Sequence, residues 1–294
     1  MSNYGYFTNR PSDEPFPYTD LACERHRADL SLEGVSYKKE HASCGFWERI
    51  EISSDTGAKS IGRPIGRYDT LTLDRLDLMD LYTIEDAKDE IAKELCVLCD
   101  ALDIVPERVL VAGLGNPSLM PDAVGPLAAN HVKATMHIKD FDKRFFGLLE
   151  CSEIAVVTPG VRALSGMDAA SVVRGIADVI SPSLIIAIDS IAARDVERLG
   201  TTVQMCDSGI LPGSGLGNCA VALNEETLGA PVIAIGVPTV IDSRMFRLDT
   251  NPEKIKDIDP GPAMFVSPKE ICEIVDVGAS IIGGGINQAF GLYS

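Results

Sequence analysis

Two aspartates, Asp122 and Asp189, stand just beyond strongly apolar runs. Asp122 follows VLVAGLGNPSLMP (109–121), in which Val109 to Leu114 reads as a buried parallel strand. Gly113, Gly115 and the pair Asn116-Pro117 then break the run into a turn. Asp189 directly follows LIIAI (184–188). Open α/β sheets keep their ligand crevices beyond the carboxyl ends of the strands. If the two strands are neighbours, both carboxyls face one crevice. Two close carboxyls do not both ionise readily, so their pKa values split. One can then act as general base on a water and the other as general acid on a leaving amine. The competing assignment is structural: each aspartate caps the helix that follows it.

The glycine loops offer a second chemistry. G-L-G-N (113–116) follows a strand, but Ser118 stands where a dinucleotide fingerprint needs its third glycine, and no G-K-[ST] follows. In G-S-G-L-G-N (213–218), Gly213, Gly215 and Gly217 precede Asn218 in an irregular loop. Backbone amides there, with those of Gly115 and Asn116, suit a peptide backbone or an oxyanion. There is no G-x-S-x-G nucleophile elbow. The four histidines do not pair at metal spacing, and His131 and His137 fall six apart on one expected helix. Cys96 and Cys99 lie mid-helix with no second pair, so they read as core thiols. No metal and no cofactor is called for.

The elements that must position these groups alternate. Strand 109–114 leads to helix 122–136, strand 154–158 to helix 167–180, and strand 184–188 to helix 190–199. Strands 201–206 and 231–237 follow, and a last helix spans 268–282. This alternation predicts an α/β fold, a mostly parallel sheet with helices on both faces. Before it, Phe46 to Ile52 and Tyr68 to Leu73 alternate apolar and polar residues, a small antiparallel β segment near residues 45–73. The Gly-rich turn between them carries Lys59, Arg63 and Arg67, which either stay solvated or meet an acidic group. An amphipathic helix spans 84–102, and residues 1–20 read as a leader without periodicity.

Composition narrows the classes. The chain has 294 residues and a net charge of −17, which argues against a nucleic-acid partner, because phosphate contacts need clustered Lys and Arg. No run approaches the ~20 apolar residues that span a bilayer, and the N-terminus lacks a secretory pattern. The eight cysteines are scattered, as expected of reduced thiols in a cytoplasm.

Taken in order, TDLACE (19–24), GAKSIGRPIGRYDTL (57–71), VAGLGNPSLMPDAVGP (111–126), VVTPGV (156–161), IIAIDSIAAR (185–194), DSGILPGSGLGN (207–218), IAIGVPTVID (233–242) and MFVSPKEI (264–271) resemble the spore germination proteases. These endopeptidases degrade small acid-soluble spore proteins. The resemblance implies a fold similar to hydrogenase-maturation endopeptidases, catalytic roles for Asp122 and Asp189, no metal, a homotetramer and a forespore or spore-core location. It also implies a zymogen. Tyr18 to Glu24 looks like the family's substrate segment, so residues 1–20 would be a propeptide released by cleavage between Asp20 and Leu21, leaving one α/β peptidase domain over 21–294. Two departures stand out: a short segment between Asp242 and Met264, and a C-terminus, INQAFGLYS, without the family's His-Pro. The alternative is an inactive sporulation relative that binds a peptide or protein partner in the same crevice.

Overall fold

In this computed structural model the described residues are 19–26, 32–213, 220–243 and 264–291. The strands are β1 (Val35–Ala42), β2 (Gly45–Ile52), β3 (Gly66–Leu73), β4 (Arg108–Gly113), β5 (Glu153–Val157), β6 (Leu184–Ala193), β7 (Thr202–Cys206), β8 (Val232–Asp242) and β9 (Phe265–Val266). They form one mixed sheet in the order β1-β2-β3-β7-β8-β6-β4-β5, with β9 paired to β8. Strands β8, β6, β4 and β5 run parallel, as the alternation of elements requires. The antiparallel strands β1, β2 and β3 continue the same sheet through β7.

Five main helices cover the sheet: α1 (Asp55–Ile61), α2 (Leu81–Ala101), α3 (Val124–His131), α4 (Ala169–Ile180) and α5 (Ile271–Phe290). The two-residue period of the strands explains the layers. Val109, Val111, Ile186, Ile188, Ile233 and Ile235 point one way, into a core closed by α2, α3 and α5. Leu110, Ala112, Ile185, Ala187 and Val232 point the other way, against Ala170, Val173 and Ala177 of α4. Each central strand is therefore apolar on both faces, which is why its sequence reads as a continuous hydrophobic run.

Several expected bounds move. The helix expected over 190–199 is absent. Instead β6 continues to Ala193 beside β8, with a bulge between Ile191 and Ala192, and only a short 3-10 turn forms at Val196–Arg198. A short apolar run fits either state, and pairing with β8 decides it. The helix expected over 122–136 is shorter. It leaves helical geometry at Val132, and Thr135 instead donates to the Ser152 carbonyl and accepts from the Ile154 amide. His131 and His137 thus lie on different helices. The Gly-rich turn after β2 is mostly α1, capped by the Ser54 side chain and closed by left-handed Gly62. Of the thiol pair, Cys99 is buried but Cys96 is exposed, so only one is a core residue.

Candidate active site

Strands β4 and β6 are direct neighbours, so the two aspartates do share one crevice. Asp189 sits within β6, opposite Gly236 of β8, and is only 4% exposed. Its carboxyl accepts from the Ser190 amide at 2.9 Å. The strand geometry, not a rotatable loop, aims this side chain.

Asp122 ends a 3-10 turn, Met120–Asp122, between β4 and α3. The turn is fastened at several points. The Asn116 amide donates both to the Asp122 carbonyl at 2.9 Å and to its carboxyl at 3.0 Å. Thr239 donates to the Pro121 carbonyl at 2.6 Å. Gly115, at φ +112°, passes so close that a Cβ there would stand 2.1 Å from the Asp122 carbonyl oxygen. Ser190 accepts from the Val124 amide at 3.3 Å, tying the first residue of α3 to the strand that carries Asp189. Neither aspartate caps a following helix. The cap position of α3 is Ala123, without a side-chain bond, and Asp189 lies inside a strand.

Burial governs the protonation of both carboxyls. It pushes Asp189 well above the ordinary carboxylate range, and the charges of Asp122 and Asp20 push the same way against the Ser190 amide. Burial also raises Asp122, opposed by the Asn116 amide. The two acids and Asp20 line one cleft of about 760 Å³, together with Gly115, Gly213 and Thr239. That is the size of a typical ligand pocket. Asn116 acts through its amide on Asp122, while its side chain accepts from the Ser118 amide. Gly215, Gly217 and Asn218 lie outside the described residues. Among the described residues no group of three or more His, Cys, Asp or Glu side chains is placed to hold a metal ion.

The segment Thr19–Glu24 reaches this cleft at Asp20, and the residues after it pack into the protein. The Asp20 amide donates to the Ala192 carbonyl at 2.8 Å, and the Asp20 carboxyl accepts from the Ala192 amide at 2.9 Å. Arg63, just past α1, donates to the Thr19 carbonyl at 2.7 Å and to the Asp20 carboxyl at 3.2 Å. Leu21 and Ala22 are fully buried among Ile50, Ile61, Tyr68 and Ile191. The Glu24 carboxyl accepts from the Arg194 and Asp195 amides at 2.8 and 2.9 Å and also from Thr19. Gln204 of β7 bridges the Asp20 carbonyl and the Ala22 amide. Gln204 is the contact that sequence reasoning did not assign, and Arg63 meets an acidic group, one of the two options its turn offered. Arg63 was visible as a basic residue in a turn, and Gln204 as a lone polar side chain in a buried strand.

A family profile described as "Germination protease" matches residues 19–258, from the cleft segment to beyond β8. The chain belongs to the germination protease family. That makes it a protease by family. The germination protease of Caldanaerobacter subterraneus subsp. tengcongensis is 36% identical over 244 residues, 82% of this chain and 74% of that one. The germination protease of Clostridium perfringens strain ATCC 13124 is 31% identical over 314 aligned positions, 92% of this chain and 94% of that one. That of Priestia megaterium is 36% identical over 247, covering 79% and 65%. Among solved structures, a [NiFe] hydrogenase maturation protease HycI from Thermococcus kodakarensis aligns with a TM-score of 0.36 and 18% identity, covering 65% of this chain and 99% of that chain. Among the described residues no helix is long and apolar enough to cross a membrane.

Proposed function

We propose that this chain is an endopeptidase of spore germination that hydrolyses small acid-soluble spore proteins after an acidic residue, using Asp122 and Asp189. It is made as a zymogen that cuts itself between Asp20 and Leu21, releasing residues 1–20 from a peptidase domain over 21–294. The homotetramer and the spore-core location implied by the family resemblance belong to the same proposal. One observation carries the reading: Asp20 lines the cleft that holds both carboxyls, close enough for its charge to act on Asp189.

The environments of the pair divide the labour. Asp189 is almost fully buried and feels two neighbouring negative charges, so it keeps its proton and serves as the general acid. Asp122 is half-buried and held by the Asn116 amide, which favours its ionised form, so it takes the proton of the attacking water. Because both pKa values are raised, the singly protonated pair persists to higher pH than two free aspartates would allow. Cleavage then falls off on both sides of that window.

The test is intact mass against time for the full chain, shifted across mildly acidic pH. Loss of residues 1–20 in the wild type, with none in Asp122→Asn or Asp189→Asn, is the expected result. Normal processing in either variant removes that aspartate from the mechanism. A wild type that never processes, and cleaves no acidic peptide in trans, favours a peptide-binding relative instead.

A further inference from the structure

Asp189, Gly236 and Gln204 form one row across the sheet. Asp189 of β6 is in register with Gly236 of β8, and Gly236 is in register with Gln204 of β7. In such a row all side chains leave the same face. The preceding row confirms the phase: Ile188, Ile235 and Met205 all enter the opposite core. Gly236 contributes no side chain, and the buried Ile191 side chain of β6 fills the space above it, 2.8 Å from where a Cβ would stand, between Asp189 and Gln204. Asp20, Ile191, Gln204 and Gly236 line one small cavity at this row.

Gln204 grips the chain around the peptide joining Asp20 to Leu21 by two atoms. Its Nε2 donates to the carbonyl oxygen of Asp20 at 3.1 Å, and its Oε1 accepts from the Ala22 amide at 2.8 Å. The Asp20 carbonyl belongs to the peptide bond assigned above as the one that is cut. Gln204 is only 8% exposed, so its donor acts in a largely water-free place. A donor fixed on a scissile carbonyl in low dielectric strengthens as the oxygen gains charge.

We propose that Gln204 is a third catalytic residue, the electrophilic clamp that holds the scissile carbonyl and stabilises its oxygen as charge develops there. The inference rests on the proposed cleavage between Asp20 and Leu21. A water oxygen bonds to the Asp20 carbonyl carbon while its proton passes to the ionised carboxyl of the pair. The C=O π electrons move onto the carbonyl oxygen, against the Gln204 Nε2–H. When the C–N bond breaks, the Leu21 nitrogen takes the proton from the neutral carboxyl. The electron pair returns to the carbonyl, leaving a carboxyl on Asp20 and an amine on Leu21. Holding the Ala22 amide with the same side chain restrains the chain on the far side of the bond that breaks.

The experiment measures the rate of self-cleavage of the full chain across pH for wild type, Gln204→Met and Gln204→Glu, with thermal unfolding as the check on folding. Removing one oxyanion donor typically costs about 10²–10³-fold in rate. Gln204→Met, with no donor, should be slower by that factor at every pH. Gln204→Glu keeps the acceptor for the Ala22 amide and regains an O–H donor only when protonated. Its rate should therefore recover at low pH, a limb that neither of the other two proteins shows and that a purely structural role would not create. A Met variant within about threefold of wild type overturns the inference, as does a Glu variant whose profile runs parallel to wild type. A wild type that is not cut between Asp20 and Leu21 overturns the proposed function itself, and the clamp with it.

Discussion

Replacing Glu94 by Gln should flatten the pH dependence of stability. Glu94 of α2 and Asp69 of β3 are 2% and 1% exposed. Arg49 of β2 lies between them, its Nη1 2.7 Å from Glu94 and 3.3 Å from Asp69, while its Nε meets Glu40 at 2.7 Å. Arg67 reaches Asp69 at 3.4 Å. Burial, and then Asp69, push the Glu94 carboxyl up to about 7, against the pull of Arg49. Among the described residues Glu94 Oε1 and Asp69 Oδ1 have no hydrogen-bond partner, and a hydrogen bond with Asp69 favours the protonated Glu94. Moving a carboxyl from 4.5 to about 7 corresponds to about 3 kcal/mol, shared by Glu94 and Asp69. The folded state binds the extra proton, so this stability is complete below about pH 4.5 and lost as the pH rises through about 7. Gln cannot lose a proton and leaves Arg49 its contacts with Asp69 and Glu40. Urea unfolding of both proteins between pH 4.5 and 8 should show equal stability at the acid end and a variant more stable by up to about 3 kcal/mol at the alkaline end. Burial also raises Asp122, Asp189, Asp207 and Glu24, but these tilt both curves alike. Parallel curves would refute the reasoning.

Arg63→Met should relax the preference for an acidic residue before the cut. A hydrogen bond to a charged group is worth about 1.5–3 kcal/mol, so discrimination between peptides carrying Glu and Gln at that place should shrink by roughly 10–100-fold; an unchanged ratio would separate Arg63 from specificity. Gly125→Ala should damage the site from behind. A Cβ there would stand 2.2 Å from the Leu114 carbonyl and 2.4 Å from the Ile188 carbonyl, both backbone, so α3 must withdraw from β4 and β6 and carry the Asp122 turn with it. Loss of ~1–3 kcal/mol in unfolding, with slowed self-cleavage, is the expected outcome; native stability would mean the helix yields elsewhere.

Sequence reading located the two acids because both obey a local rule. Each follows an apolar run, and in a parallel sheet the carboxyl ends of the strands converge. Whether they converge on one another depended on the adjacency of β4 and β6, which no local pattern encodes. The same limit hid the extent of β6. Residues 190–193 are small and apolar enough for either state, and only the partner strand β8, some forty residues later, holds them extended. Sequence leaves Arg63 between solvent and an acidic group, because its partners, Thr19 and Asp20, lie more than forty residues upstream.

Gln204 shows why register matters more than motif in a site of this kind. In TVQMC (202–206) it is a polar residue on an otherwise buried strand, and by itself that is merely a side chain needing a hydrogen bond. Register gives it meaning. One step along β7, Met205 joins the row of Ile235 and Ile188 inside the core. Gln204 instead joins the row of Gly236 and Asp189, where it meets the Asp20 carbonyl and the Ala22 amide. A slip of one residue in β7 against β8 would send Gln204 into the apolar core and leave Met205 at the peptide. The antiparallel arm β1-β2-β3 therefore does more than widen the sheet. By pairing β3 with β7 along Tyr68 to Thr72, it fixes the register that sets Gln204 across from the acids.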